Sequence, residues 1–576
     1  MTKNNTLTDT VSIALTGSGG AGVVTAGQML VQAAANAGCY GLMVRSSGPQ
    51  IRGGESAAYV RLGSDQVDNL GDAFDIMFAV DWLNVERFIA EIPLSENSLV
   101  ICDAEAGDVP DVITATGAKI AALPLQKTAA ETKGGRPNMV GLGILAALIG
   151  IADEAVEGTL EKVLGRKGSE AMASSRDCVH AGRELARDIS QDGVTLQAQD
   201  NDAERWTITG NEMAGLGALR GGVRFVAAYP ITPATEVLEW LAPNLAKVGG
   251  SLVQAEDELA SINMAIGGSF GGIPSLTATS GPGLALMMES FGLALASETP
   301  VVIINVMRGG PSTGIPTKSE QSDLNIAVYG MHGDAPHITT AATSVSDCLF
   351  TTQWTVHLAE ALQCPAIVLT DQSLGQTRAI VNKPADLAFI AKRETMAEGT
   401  ENYRRYAVTA SGVSPMSIPG MADGTYVADG LEHNPRGTPT SQAEDHSDQL
   451  DKRQRKLDTY DFGDHWAEIL GDGETAIVTW GSCTGPAREA CEQAAADGLD
   501  VKLISLRLLA PAQTDRFQEA IKGVKRMLVV EQTHSQQFYK YLRAHYDLPD
   551  DVKVFNQPGP LPVRPGLVHE QLKSWS

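Results

Sequence analysis

Four short stretches between residues 229 and 314 end apolar runs in side chains that can do chemistry. "VRFVAA" leads to Tyr229-Pro230-Ile231-Thr232-Pro233, and "SLVQA" leads to Glu256-Asp257-Glu258. "SLTA" leads to Thr279-Ser280-Gly281-Pro282-Gly283, and "VVIINVM" leads to Arg308-Gly309-Gly310-Pro311-Ser312-Thr313-Gly314. A hydroxyl, three carboxylates, a glycine-rich turn and a guanidinium are thus offered at four strand ends. Proline breaks a sheet ladder and belongs at an edge, an end or a turn, so the two prolines around Thr232 hold its hydroxyl on a rigid corner. Singly, each feature has a plainer use. The acids complement the positive end of a helix, Gly281-Pro282-Gly283 makes a turn, and Arg308 pairs with a surface acid.

These groups act together only if the elements carrying them bring them to one place. The runs are four to eight residues long and separated by helix-length sequence, the pattern of a parallel, doubly wound α/β sheet. Such sheets bind ligands outside the carboxyl ends of their strands. Parallel pairing therefore sets all four stretches along one edge, and their coincidence there reads as a site. "PAIVLTD" extends the same sheet.

Two further α/β segments flank this one. The first contains the strands "VSIALTGS", "YGLMV", "FDIMFAVD" and "SLVICDAE" and an apolar helix, "NMVGLGILAALIGIA". Its Gly17-Ser18-Gly19-Gly20-Ala21-Gly22 satisfies GxGxxG between a strand and a helix, where a pyrophosphate can sit. Arg45-Ser46-Ser47 follows the next strand in place of a ribose-binding acid, which leaves an NADP site as the alternative reading. Glycine turns also serve close packing with no ligand. The last segment carries "TAIVTWG", "VKLISLRLL" and "RMLVVEQ". Between them lies polar, Pro/Gly-punctuated sequence that reads as an inter-domain linker. The division is 1–195, 196–395, 396–460 (linker) and 461–576, with a parallel α/β sheet in each of the three domains.

Composition narrows the function. At 576 residues the chain is too long for one core. A formal net charge of −25 argues against nucleic acid, whose phosphates need Lys and Arg. No apolar run is long enough to cross a membrane, and the first residues lack a signal-peptide pattern, so a cytoplasmic protein is expected. Seven cysteines are scattered with no CxxC pair, which gives no zinc or iron–sulfur spacing.

"GNEMAGLGALRGGVRFVAAYPITPATEV", "QAEDELASINMAIGGSFGG", "TATSGPGLALM" and "RGGPSTGIPTKSEQSDL" resemble the alpha subunit of 2-oxoacid:ferredoxin oxidoreductases, in its 2-oxoglutarate-type branch. "ISLRLLAPAQ" and "VVEQTHSQQFYKYL" resemble the family's transketolase C-terminal-like domain. "GSGGAGVVTAG" and "GPQIRGGESAAYVRL" resemble its gamma domain, fused here ahead of the pyrimidine-binding domain. The resemblance covers nearly the whole chain and demotes the NADP reading.

The resemblance implies thiamine diphosphate chemistry, in which a carboxyl group beside N1′ of the aminopyrimidine promotes loss of the C2 proton. Family members place that glutamate nine residues before a helix glycine, as Glu258 stands to Gly267; Glu256 is the alternative. Tyr229, Pro230 and Ile231 are implied cofactor contacts. Thr232, Arg308 and Thr317 are implied to hold the substrate's 1-carboxylate, in a reaction that turns 2-oxoglutarate and coenzyme A into succinyl-CoA and CO₂ and can run in reverse. A second substrate carboxylate needs a further donor, for which Arg45, Arg52, Lys133, Arg136 and His332 are candidates. The thiamine diphosphate and Mg²⁺ motif, GDG followed by Asn, has no convincing counterpart, since "GDGE" at Gly471 precedes a strand and reads as a turn. A beta subunit is therefore implied to hold the diphosphate, Mg²⁺ and a [4Fe–4S] cluster, with ferredoxin taking the electrons. The expected assembly is a dimer of alpha–beta heterodimers.

Overall fold

A computed structural model describes residues 7–48, 55–189, 193–197 and 203–575. It divides into two compact units. One runs to Thr209 and adds Gln376–Ala385 and Leu561–Leu567; the other holds Gly210–Gly375, Asp386–Pro560 and Val568 onward.

The first unit is built on an eight-stranded sheet. Its order is Lys119–Leu123, Leu99–Asp103, Ile76–Ala79, Thr10–Ser18, Glu55–Gly63, Tyr40–Ser47, Arg378–Asn382 and Arg205–Thr209. The first four strands are parallel, but every later pairing is antiparallel. This sheet is mixed rather than parallel, which corrects the sequence expectation while leaving the α/β class intact. The reason was legible: seven residues separate Ser47 from Glu55, and a parallel crossover needs a dozen or more. The helix Pro137–Leu148 is buried almost all round and packs with Ile13, Leu15 and Phe78. In the GxGxxG turn, Gly22 takes φ 80° and sits against the Asn138 side chain, whose Nδ2 donates to the Gly22 carbonyl at 2.9 Å. This glycine has a packing use.

The second unit holds two sheets. The larger runs Ser251–Gln254, Phe225–Ala228, Ser275–Thr279, Val302–Met307, Ala366–Asp371, Ile338–Ala341 and Leu508–Ala510, all parallel except the last. Ile338–Ala341 escaped the sequence reading because two of its four residues are threonines. Both are buried, with Thr340 bonded to Thr355 at 2.7 Å and Thr339 donating to the Ala327 carbonyl at 3.1 Å. The smaller sheet orders Ala467–Leu470, Val501–Leu506, Thr475–Trp480, Arg526–Glu531 and Asp551–Asn556, with only the first strand antiparallel.

Residues 396–460, expected as a linker, pack into this unit. Their helix Ala443–Asp458 buries Gln449, Lys452, Arg453 and Lys456. Lys452 bonds both oxygens of Glu298 at 2.5 and 2.7 Å, Lys456 bonds Oε2 at 2.7 Å, and Arg405 lies 3.7 Å away. Their charges are paired in the interior, so a polar sequence does not mark a solvated segment here.

Candidate functional site

The four stretches follow strands that are hydrogen-bonded neighbours and parallel, so their carboxyl ends share one edge of the larger sheet. At the first, the YPITP corner joins Phe225–Ala228 to the helix Thr235–Leu245. It is pinned through its carbonyls. Ile231 accepts from the Thr235 amide at 3.0 Å, Pro233 from Asn211 Nδ2 at 2.9 Å, and Thr232 from Arg308 Nη1 at 2.6 Å. Tyr229 is exposed, and Pro230, Ile231 and Thr232 are half-buried. Asn211 was not singled out from the sequence; its signal was a lone amide in a run of small residues.

The three acids separate into three roles. Glu256 is exposed. Asp257 caps the helix Glu258–Phe270, its carboxylate accepting from the Ala260 amide at 2.7 Å, a stabilising use common at helix starts. Glu258 is 8% exposed, and among the described residues its carboxylate has neither a hydrogen-bond nor an ion-pair partner. It lies against the glycine turn: a Cβ on Gly283 would fall 2.7 Å from Glu258 Cγ and 2.9 Å from Oε1. The turn therefore needs glycine to admit the acid. Gly267 faces open space, so nothing in this chain requires a glycine there.

Arg308 is 7% exposed, and among the described residues its one hydrogen-bond partner is the Thr232 carbonyl; Nε is buried without one. A guanidinium has five donors and stays charged, so this is a buried cation short of acceptors. The loop beyond it closes on itself. Ile315 donates to the Gly309 carbonyl at 2.8 Å and Gly309 to the Lys318 carbonyl at 3.0 Å. That pairing sets Thr317, half-buried, beside the strand exit. Gln321 anchors the loop, donating to the Trp480 carbonyl at 2.8 Å and accepting from the Gln532 amide at 2.8 Å.

Asp323, also not singled out, ends this loop and is half-buried. It accepts from Asn305 Nδ2 at 2.9 Å, and a Cβ on Gly281 would fall 2.6 Å from its Oδ1. Burial, reinforced by Glu320, pushes its carboxyl up to about 6, against the opposing effects of Asn305 and Arg308. Asn305 is the one amide in an otherwise apolar strand, a signal the sequence did carry.

Of the candidates for a second carboxylate, only His332 belongs to the unit that carries this edge. His332 is exposed, with Cε1 near Gly292. That point is eleven residues along the helix from Gly281, about 16 Å at 1.5 Å per residue. Lys133 forms an exposed ion pair with Glu170 at 2.8 Å, and Arg136 is exposed at a helix start. Arg45 is half-buried on Tyr40–Ser47 in the first unit, and Arg52 lies outside the described residues. The GDGE stretch is a turn between two strands, with Asp472 ion-paired to Lys502 at 3.3 Å.

Three family models match the chain. "Pyruvate ferredoxin/flavodoxin oxidoreductase" covers residues 12–185. "Pyruvate flavodoxin/ferredoxin oxidoreductase, thiamine diP-bdg" covers 216–452, and "Transketolase, C-terminal domain" covers 466–537. Subunit alpha of 2-oxoacid:ferredoxin oxidoreductase 1 from Sulfurisphaera tokodaii is 32% identical over 68% of this chain. The match spans 64% of that relative's length. The 2-oxoglutarate synthase subunit KorA of Methanothermobacter thermautotrophicus is 35% identical over 59% of this chain and 91% of its own. Among solved structures, a 2-oxoglutarate:ferredoxin oxidoreductase from Magnetococcus marinus, with 2-oxoglutarate, coenzyme A and succinyl-CoA bound, superposes with a TM-score of 0.91. It is 35% identical and covers 98% of this chain and 99% of its own.

Proposed function

We propose that this chain, which belongs to the family of 2-oxoacid:ferredoxin oxidoreductase alpha subunits, serves the coenzyme A-dependent oxidative decarboxylation of 2-oxoglutarate to succinyl-CoA. The observation that carries the reading is a pair of buried, opposite charges on one sheet edge, Glu258 and Arg308, with no ionic partner among the described residues. A buried charge left unpaired is costly, and a ligand that supplies the missing partners offsets that cost.

The residues fit thiamine diphosphate. Glu258 is a buried carboxylate with no partner of its own, in a cradle that a Cβ on Gly283 would fill. It would hold a ring N–H of the aminopyrimidine, and Tyr229, Pro230 and Ile231 would line the cofactor. When bound, the group supplies the nucleophilic carbon and takes up the electron pair left by decarboxylation. Arg308 donates a charge-assisted bond to the substrate's 1-carboxylate while Nη1 stays on the Thr232 carbonyl. That bond fixes the corner from which the Thr232 hydroxyl reaches the same carboxylate, and Thr317 approaches from the closed loop. Holding the carboxylate at several points orients the 2-oxo carbon before reaction.

The 2-oxoglutarate choice is supported by the names of relatives such as the KorA subunits and by the branch resemblance of "GGPSTGIPTKSEQSDL". A beta subunit is proposed to hold the diphosphate, Mg²⁺ and a [4Fe–4S] cluster, with ferredoxin as acceptor and a dimer of heterodimers as the assembly. The test is kcat/KM for 2-oxoglutarate against pyruvate in the assembled enzyme, read by ferredoxin reduction. A preference for pyruvate overturns the substrate choice, and turnover of neither overturns the function.

A further inference from the structure

Arg308 does not meet its substrate alone. Asp323 shares its electrostatic field, yet the guanidinium is bonded to the Thr232 carbonyl. Asp323 is faced by Arg308 and Asn305 from the Val302–Met307 strand and its exit. The N-terminus of the helix Gly281–Ala296 meets it at Gly281, and Glu320 approaches from its own loop. The helix that follows it, Leu324–Tyr329, has no charged side chain. The subsite thus holds one guanidinium and one nearby carboxylate before any substrate arrives. Asn305, which holds Asp323, stands three residues before Arg308, so a carboxylate docked on Arg308 adds a second negative charge close to Asp323, and two neighbouring carboxylates do not both stay ionised readily.

We infer that Asp323 is a positioning residue that sets the charge of the Arg308 subsite, taking up one proton from solvent when a substrate carboxylate docks on Arg308 and releasing it when that carboxylate leaves. The inference rests on the 2-oxoacid reading above. Protonated, the side chain still accepts from Asn305 and leaves Arg308 to the substrate. Asn305 Oδ1, buried and without a partner, lies on the same amide and is a candidate acceptor for the new O–H. The sign of the coupling follows. With the empty site, Asp323 gives up its proton at about pH 6, and a bound carboxylate moves that point upward. Between the two values binding consumes a proton, so affinity falls as pH rises.

The experiment uses the assembled enzyme and glutarate, which has both carboxylates of 2-oxoglutarate but no 2-oxo group to react. Its inhibition constant against 2-oxoglutarate is measured from pH 6 to 8.5, and proton uptake is measured by calorimetry in buffers of different ionisation enthalpy. The wild type is expected to take up close to one proton per glutarate at pH 7.5, with an inhibition constant rising by up to about tenfold per pH unit. Asp323→Asn, neutral at every pH, is expected to take up almost none and to show a flat profile. A purely structural Asp323 would alter stability without changing either slope. If 2-oxoglutarate is turned over but wild-type uptake is near zero, or D323N keeps the wild-type slope, this inference is overturned and the function stands. If no 2-oxoacid is turned over, both fall. The wild-type profile decides the matter even where D323N does not assemble.

Discussion

Arg308→Ala removes the cation that we propose captures the substrate's 1-carboxylate. The side chain is nearly inaccessible, and among the described residues its one hydrogen bond holds the Thr232 carbonyl at 2.6 Å. Its loss leaves a buried substrate carboxylate without a charge-assisted partner, which costs on the order of 2–4 kcal/mol. At about 1.4 kcal/mol per tenfold, kcat/KM for the 2-oxoacid should fall roughly thirtyfold to nine-hundredfold. Arg308→Lys should recover part of this. A compact ammonium keeps the charge but lacks the fork needed to hold Thr232 and a carboxylate together. Thr232→Ala spares the carbonyl and removes only a neutral hydroxyl, so a loss of roughly two- to tenfold is expected. The assay is steady-state ferredoxin reduction, with KM for coenzyme A and the melting temperature as controls. A folded R308A enzyme within about threefold of wild-type kcat/KM would refute the argument. So would a larger loss from T232A than from R308A.

Glu258→Gln should lower kcat by about 10²–10⁴ with the subunits still assembled, whereas Glu256→Gln, altering an exposed side chain, should stay near wild type; the reverse order in turnover assays would move the role to Glu256. Glu298→Gln should destabilise the chain by about 3–5 kcal/mol in denaturant titrations, because Lys452, Lys456 and Arg405 lose their buried counter-charge. Burial alone would raise the Glu298 carboxyl, but those three cations hold it well below the carboxylate range. Its contribution is therefore present at neutral pH and lost as pH falls below the ordinary carboxylate range. Burial lowers Lys452 to about 7 even with Glu298 beside it, so without that acid the lysine should lose its proton at lower pH and the gap between wild type and E298Q should widen as pH falls from 8 to 5. The purified single chain should bind no stoichiometric iron by metal analysis. Its seven cysteines are scattered along the sequence without cluster spacing, and a stoichiometric cluster would end the two-subunit reading.

What the sequence disclosed was whatever depends on short range. The parallel edge followed from run length and spacing. The braced corner at Thr232 followed from two prolines, whereas Glu258 was picked out only by resemblance to a family spacing, and the fold adds its burial beside Gly283. Asp257 and Glu258 look alike as letters, and only the fold shows one capping a helix and the other buried beside Gly283. Asp323 was hidden because its character depends on Asn305 and Gly281, 18 and 42 positions away in the chain. The helix Ala443–Asp458 misled for the same reason. Lys452 and Lys456 mark a surface in every composition rule, and their partner Glu298 is more than 150 residues distant. His332 shows the converse: near in sequence to the loop after Arg308, it lies beside Gly292, well along a helix from the edge.

The scaffold explains how two such charges are held in place. Arg308 follows Val302–Met307 and Glu258 packs against the turn that follows Ser275–Thr279, and every residue of both strands is buried. The backbone rather than other charges holds the site in place: Asn211 and Arg308 grip the carbonyls of the YPITP corner, and Gln321 clamps the substrate loop to Trp480 and Gln532. Anchors of this kind leave the ionic valences of Arg308 and Glu258 unspent. Had either formed an internal ion pair, that pair would have to break before a ligand could bind, and binding would be weaker by its worth. The cost is a destabilised empty state, which the deeper core must offset. Asp323 then has a definite part, because it moderates the Arg308 field without occupying the guanidinium. Substituting a stronger internal partner for it should stabilise the empty chain and weaken substrate capture together.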